Sequence, residues 1–161
     1  MTELKGCFER LGYRNVKTYI NSGNVIFSAD RTDARALEST IEPALEQAFS
    51  FPITVVVRSL AEMEATIADI PKTWTIQANQ LRCNVIFLHH TIDDPTIVDK
   101  LPVREGVDAI RYTPGAVLWS TKLALITKTS LTKIIGTPLY KGMTIRNINT
   151  TRKVYELMQA L

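Results

Sequence analysis

The sequence predicts an α+β protein whose two halves repeat the same order of helices and strands. The first observation is an internal sequence repeat. The segment INSGNVIFS at residues 20–28 resembles YTPGAVLWS at residues 112–120, with Gly23 and Gly115 in equivalent places. Each copy has β-forming residues on both sides of a glycine turn, the pattern of a β-hairpin. The second observation is that helix and strand patterns flanking the two hairpins keep the same spacing.

The first half supplies a helix, the first hairpin, a second helix and a closing strand. Residues 2–9 have helical periodicity, and a second helix is predicted after the cap candidates Thr32 and Asp33. An apolar stripe defines the buried face of that second helix: Leu37, Ile41, Leu45, Ala48 and Phe49. The β-branched run at residues 53–57 predicts the closing strand.

The second half reads strand, helix, strand, strand, helix, strand, which is the ferredoxin-like order. Its elements are a strand at 83–88, a helix at 94–101, the second hairpin, a helix from 130 to 136 and a strand at 143–146. A C-terminal helix is predicted over 151–161, and a helical connector over 60–70 joins the halves. We therefore predict a tandem duplicated ferredoxin-like α/β sandwich with an additional C-terminal helix.

The first half lacks a counterpart of the opening strand at 83–88, because the matching positions fall before Met1. That strand is central in a ferredoxin-like sheet, so its absence leaves two strand edges unpaired. We expect the natural polypeptide to begin upstream of Met1, with a strand from another chain as the alternative. We also expect exposed edges to favour a homo-oligomer. The predicted organisation is a first half at 1–59 without its opening strand, a connector at 60–78 and a second half with the C-terminal helix at 79–161.

Two segments resemble the signatures of a known bacterial family. The motif TYINSGNVIF at residues 18–27 resembles the first signature of the domain of unknown function 1697 family. LTK at 131–133, IGTP at 135–138 and MTIRN at 143–147 resemble its second signature. The resemblance implies two ferredoxin-like halves and an upstream Gly-rich strand that this sequence lacks. It implies no activity, because the family is uncharacterised.

The first hairpin turn is a candidate anion site. Asn21, Ser22, Gly23 and Asn24 are small and polar, and such a turn can present backbone N–H groups to an anion. The alternative is a turn selected for geometry, since Asn and Gly favour tight turns. The second copy at 113–116 lacks both asparagines, which favours a functional role for the first.

A second candidate is RNINTTRK at residues 146–153, where a strand ends and the last helix begins. Asn149 or Thr150 is predicted as the N-cap, and the free N–H groups of the first turn favour an anion beside Arg146 and Arg152. The alternative is a capped helix with solvated cations. The candidate ligand-binding residues of both segments and the nearby basic stretch are Asn21, Ser22, Gly23, Asn24, Lys133, Arg146, Asn147, Asn149, Thr150 and Arg152.

The net charge of +3 is unevenly distributed. Residues 100–161 hold ten Lys or Arg against three Asp or Glu, whereas residues 1–99 hold nine against thirteen. A basic half attracts an anion or a nucleic acid, or matches the acidic half across an internal interface.

The sequence predicts neither a metal site nor a cofactor. Cys7 and Cys83 lack zinc-ligand spacing and are predicted to be buried free thiols. His89 and His90 are predicted to point to opposite faces of a strand, so at most one imidazole would serve a metal. Nucleophile-elbow, P-loop and dinucleotide patterns are all missing from the sequence.

The leading hypothesis is a non-enzymatic binding module for a small anionic ligand, held between the first turn and the last helix. One alternative is an enzyme of unassigned class that uses Asn21, Ser22, Lys133 and Arg146. Another is nucleic-acid binding, which is disfavoured because Trp119 occupies a core-like position and adjacent exposed aromatics are scarce. Without a signal-peptide pattern or an apolar run of about 20 residues, we expect a cytoplasmic protein with no membrane contact.

Overall fold

A computed structural model describes residues 1–31 and 33–161 as an α+β structure. The α-helices are α1 Thr2–Arg10, α2 Ala34–Phe49, α3 Leu60–Ala68, α4 Thr73–Ile76 and α5 Ile148–Gln159. The strands are β1 Arg14–Tyr19, β2 Asn24–Ser28, β3 Leu81–Leu88, β4 Asp108–Thr113, β5 Ala116–Lys122 and β6 Met143–Asn147. Short 3₁₀ helices span Pro95–Lys100, Leu123–Lys128, Leu131–Gly136 and Pro138–Gly142.

The second predicted helix begins at its predicted cap and buries its predicted face. Helix α2 begins after Asp33, whose side chain accepts a hydrogen bond from the Arg35 amide. Its apolar stripe lies in the core through Leu37, Ile41 and Leu45, as a helix with 3.6 residues per turn requires. Thr32, the other predicted cap, lies outside the described residues.

The described strands form two antiparallel sheets. The first sheet is the hairpin β1–β2, and the second has the order β4-β5-β3-β6. Both predicted hairpins are present, with Gly23 at φ 80° and Gly115 at φ 85°, where a side chain is disfavoured. The two helices predicted at 94–101 and 130–136 are 3₁₀ rather than α.

The four-stranded sheet buries both of its faces, because alternate residues of β3 and β5 point to opposite sides. Ile86, Leu88, Val117 and Trp119 belong to one cluster, which also contains Ile134. Val85, Phe87, Ala116 and Leu118 belong to the other, against which α5 packs Val154 and Met158. A third cluster joins α1, α2 and the first hairpin around Phe8, Val16 and Ile41.

The prediction of a strand at residues 53–57 was wrong, because this segment pairs with no strand of the described chain. Its apolar residues Ile53, Val55 and Val57 still pack against the first-half cluster. Two of its amides donate instead to side chains of α2: Val55 to Glu42 Oε1 and Val57 to Glu38 Oε1, both at 2.9 Å. The expected association through strand edges stays a prediction.

Among the described residues, every helix is too short or too polar to cross a lipid bilayer.

Candidate functional site

Arg146 on β6 reaches the first hairpin turn from the far end of the sequence. Its Nε donates to Asn24 Oδ1 at 2.7 Å, and its Nη2 donates to the Ser22 carbonyl at 2.6 Å. The two candidate segments of the sequence therefore meet in the fold, joined by the Arg146 side chain.

The turn is braced internally as well. Asn24 Nδ2 donates to the Tyr19 carbonyl at 3.1 Å and to Ser22 Oγ at 2.9 Å, so the amide holds both sides of the turn. Gly23 is exposed, and a Cβ added there would meet nothing within 4 Å. The turn therefore offers an open polar surface beside a fixed guanidinium.

The Arg146 guanidinium is half-buried and lacks an acidic partner among residues 1–31 and 33–161. Its acceptors are neutral oxygens, including the Ile145 carbonyl at 2.9 Å from Nη1. Burial lowers the pKa of Arg146 from its ordinary value, because removing the cation from water costs free energy. Three of its five N–H groups are occupied, which leaves donors for an anion.

Asn147, and not Asn149 or Thr150, caps the last helix, so the predicted cap was wrong. The Asn147 side chain accepts from the Thr150 amide at 2.8 Å, and Thr151 Oγ1 donates to the Asn147 carbonyl at 3.0 Å. The strand β6 runs directly into α5 without a loop, which moves the helix start three residues before the predicted one. Thr150 is buried within the first turn, while Asn149 is exposed.

Substitutions at Asn147 and Asn149 should therefore differ in their effect on stability. Asn147→Ala should cost about 0.5–2 kcal/mol of stability, the usual loss for removing an N-cap, and Asn147→Asp should restore most of it. Asn149→Ala should change the free energy of unfolding by less than about 0.5 kcal/mol, because Asn149 is an exposed helix residue. Urea denaturation of the three variants would measure this, and a larger loss from Asn149→Ala than from Asn147→Ala would contradict it.

The remaining predicted residues lie apart from the Arg146 contact. Lys133 is exposed on the 3₁₀ segment Leu131–Gly136, and Asn21 is exposed in the turn. Arg152 Nη2 donates to Thr75 Oγ1 at 3.2 Å. Within the described residues, none of the three forms a hydrogen bond or ion pair with Arg146.

Sequence reasoning missed a second arginine that mirrors the first. Arg58 donates through Nη2 to the Gly115 carbonyl at 2.7 Å and to the Leu88 carbonyl, and through Nη1 to the Val57 carbonyl at 2.6 Å. Each hairpin turn is thus held by an arginine that lies far from it in the sequence. A signal was present, because Arg58 and Arg146 each follow a run that contains β-branched residues.

A third polar cluster lies between α2 and the end of β3. Glu38 Oε2 is 2.6 Å from His90 Nδ1 and 3.4 Å from His89 Nε2. The two imidazole rings lie 4.1 Å apart, so the expectation that they face opposite sides was wrong. The strand ends at Leu88, and alternation does not extend to the residues that follow.

The comparisons with known proteins bear on the family and the fold. A family model described as "Protein of unknown function (DUF1697)" matches residues 1–119. The chain belongs to this family. The prediction from the first motif at residues 18–27 is confirmed, and the motif lies within the matched range.

The DUF1697 protein is also similar in structure to the conserved bacterial protein SP0830 from Streptococcus pneumoniae. The TM-score is 0.80 at 23% identity, over 98% of this chain and 88% of that chain. At this identity the likeness establishes the fold alone. No curated protein matches the chain.

Proposed function

We propose that this DUF1697 protein is a binding module for a small anionic ligand, held where the first hairpin turn meets β6 and the start of α5. A phosphate or carboxylate group is the chemistry that the site would take. The observation that carries the proposal is the half-buried Arg146 guanidinium, which contacts neutral oxygens and has no carboxylate partner in the described part of the chain.

Charge and geometry support an anion at this place. A cation withdrawn from water is costly unless a negative charge balances it, and three neutral carbonyl groups balance it only in part. A planar guanidinium whose orientation is already fixed can grip a carboxylate or phosphate with little further loss of entropy. The adjacent N-terminus of α5 adds a favourable dipole, and the basic second half adds net positive charge.

The alternative functions find less support in the contacts. Ser22 Oγ accepts from the Asn24 amide, and its hydrogen bonds within the described residues include neither an imidazole nor a carboxylate that could act as a base. For nucleic acid, Trp119 is fully buried and donates to Asp108, so it is not available for stacking on a base. An enzyme or nucleic-acid role would have to use other surfaces.

We also propose that the architecture is a ferredoxin-like duplication with halves at 1–59 and 79–161, joined by the segment 60–78. The order β4-β5-β3-β6 corresponds to 2-3-1-4 within the second half, as a βαββαβ unit requires. In the first part of the chain, the order α1, β1, β2, α2 matches the helix, hairpin, helix order of residues 95–136.

The anion proposal predicts a specific response to phosphate or sulfate. Either anion should raise the melting temperature more than chloride at equal ionic strength, because a ligand that binds only the folded state stabilises it by mass action. Arg146→Lys and Arg146→Gln should lose most of this increment, since a lysine cannot form the bidentate contact. Both variants should also cost about 1–3 kcal/mol through the lost turn contacts. The increment from the anion, not the absolute melting temperature, is therefore the measurement.

Arg152→Gln is the matched control, because Arg152 is exposed on α5, the helix that follows β6, and contacts Thr75 instead of the turn. It should keep the full anion increment. Equal anion-induced increases in melting temperature in wild type, Arg146→Lys and Arg152→Gln would mean that Arg146 only stabilises the turn, and would overturn the proposal. A loss confined to Arg152→Gln would overturn it as well.

A further inference from the structure

Two glutamates and two histidines converge at the junction of α2 with the residues that follow β3. Glu38 and Glu42 lie one turn apart on the same face of α2. His89 Nε2 is 3.4 Å from both Glu38 Oε2 and Glu42 Oε1, and His90 Nδ1 is 2.6 Å from Glu38 Oε2. This cluster is separate from the Arg146 site and plays no part in the proposed anion binding.

The cluster buries the Glu38 carboxyl group without a lysine or arginine paired to it in the described part of the chain. The Glu38 side chain is only 1% exposed and that of His89 only 9%. Among residues 1–31 and 33–161, no lysine or arginine forms an ion pair with Glu38 or Glu42. A buried carboxylate is unfavourable unless a positive charge lies beside it, and a bound metal ion would supply one.

Backbone amides fix the direction of both carboxylates. The Val57 amide donates to Glu38 Oε1 and the Val55 amide donates to Glu42 Oε1, each at 2.9 Å. Glu38 Oε2 is therefore left facing the two imidazoles. Such outer hydrogen bonds are the usual means by which proteins orient metal ligands.

His89 Nε2 is a buried nitrogen without a hydrogen-bond partner in the described chain, and it faces the carboxylates. At the other ring nitrogen, the Thr91 hydroxyl lies 2.9 Å from Nδ1, and the Thr91 amide donates a longer hydrogen bond to Nδ1 at 3.4 Å. When Nδ1 donates to the hydroxyl, Nε2 carries a lone pair directed into the cluster. A metal ion would select this tautomer, in which the contact with the Thr91 hydroxyl replaces the longer hydrogen bond from the Thr91 amide.

We propose that Glu38, His89 and His90 form a binding site for a divalent transition-metal ion, with zinc as the preferred ion. Their ligand atoms lie within 4.8 Å of one another. Ligands at about 2.0–2.2 Å from a tetrahedral zinc ion are separated by about 3.3 Å, close to the 3.4 Å between His89 Nε2 and Glu38 Oε2. The shorter contact of His90 would open slightly as the metal replaced its hydrogen bond. Two imidazoles favour zinc, nickel or copper over magnesium or calcium.

The site borders a cavity on the side of Glu42 and His89. A cavity of about 330 Å³ is lined by Glu42, His89, Thr91 and Lys141, among other residues. Three protein ligands with a fourth position facing a cavity are typical of zinc sites that bind a water or a substrate, whereas structural zinc sites are closed by four. Glu42 borders both the cavity and His89, and it lies where it can contact whatever occupies that position.

The test is zinc binding by the untagged full chain after removal of metal with a chelator. Isothermal titration should give about one zinc ion per chain, and an excess of magnesium should not compete. His90→Gln and Glu38→Gln should each weaken zinc by more than about tenfold. The His90 side chain is 31% exposed, so its variant should remain folded, which circular dichroism would verify.

Glu46→Gln is the matched control, since Glu46 is exposed one turn beyond Glu42 on the same helix. It should bind zinc as wild type does. Cobalt substitution adds a spectroscopic test, because a strong thiolate charge-transfer band would place the metal on Cys7 or Cys83 and overturn the proposal. Wild type without measurable zinc binding, or equal zinc affinity in wild type and His90→Gln, would also overturn it.

Discussion

Asp108→Ala is expected to destabilise the protein by about 3–5 kcal/mol, because it leaves several buried hydrogen-bond donors without an acceptor at once. Asp108 Oδ1 accepts from the hydroxyls of Thr121 at 2.8 Å and Thr129 at 2.6 Å, and from Trp119 Nε1 at 3.3 Å. Oδ2 accepts from the Ser130 amide at 3.0 Å and from the Arg104 amide at 3.3 Å. One carboxylate thus connects β4, β5 and the chain that follows β5.

Urea denaturation followed by tryptophan fluorescence would measure the loss. Asp108→Asn is the informative companion, since it keeps the shape and one acceptor oxygen but places an N–H₂ group against donors. It should lie between wild type and Asp108→Ala. A cost below about 1 kcal/mol for the alanine variant would mean that water satisfies the released donors, contrary to this account.

The Asp108 carboxyl group should also make the stability of the protein depend on pH. Burial by itself would raise the pKa of this carboxyl, but hydrogen bonds from the Ser130 amide and the Thr129 and Thr121 hydroxyls outweigh it and hold the pKa below its ordinary value of 3.8. A carboxyl with a depressed pKa in the folded state contributes stability that is present above the unfolded value and is lost as pH falls through the folded value. The stability difference between wild type and Asp108→Asn should therefore shrink below about pH 4. A constant difference down to the acid transition would contradict the prediction.

Local signals explain which elements could be predicted. The turns at Gly23 and Gly115 are set by backbone angles that glycine adopts readily, so both hairpins followed from the sequence. The apolar stripe of α2 similarly depends only on helical spacing. Pairing between distant segments has no such local signal. Residues 53–57 have the composition of a strand, yet their amides donate to Glu38 and Glu42, contacts that only the fold reveals.

The candidate site, too, could be predicted only in part from the sequence. Residue chemistry was enough to select the first turn and Arg146, but their contact joins positions 122 residues apart, and no spacing rule indicates it. The cap was misplaced because β6 continues into α5 without a loop, so Asn147 serves both as the end of a strand and as the cap. The histidine pair was misjudged because the strand rule was extended past the end of β3.

Gly115→Ala is expected to cost about 2–4 kcal/mol, the second largest effect that we predict. At φ 85° an alanine pays about 1–2 kcal/mol in backbone strain. In addition, the new Cβ would lie 2.8 Å from Arg58 Nε, so the guanidinium would have to leave the carbonyls that it holds. The loss of charge-assisted hydrogen bonds accounts for the remaining 1–2 kcal/mol, roughly.

The first hairpin turn supplies the control for this prediction. Gly23→Ala places the same side chain at φ 80° in the equivalent turn, where nothing lies within 4 Å, so it should cost only the backbone strain of about 1–2 kcal/mol. A double-mutant cycle isolates the arginine, because in an Arg58→Ala background the cost of Gly115→Ala should fall to that of Gly23→Ala. Chemical denaturation of the four proteins in the cycle, together with Gly23→Ala, gives each free energy. If the costs of Arg58→Ala and Gly115→Ala simply add, the arginine does not restrict the turn, and the contact is not what requires glycine there.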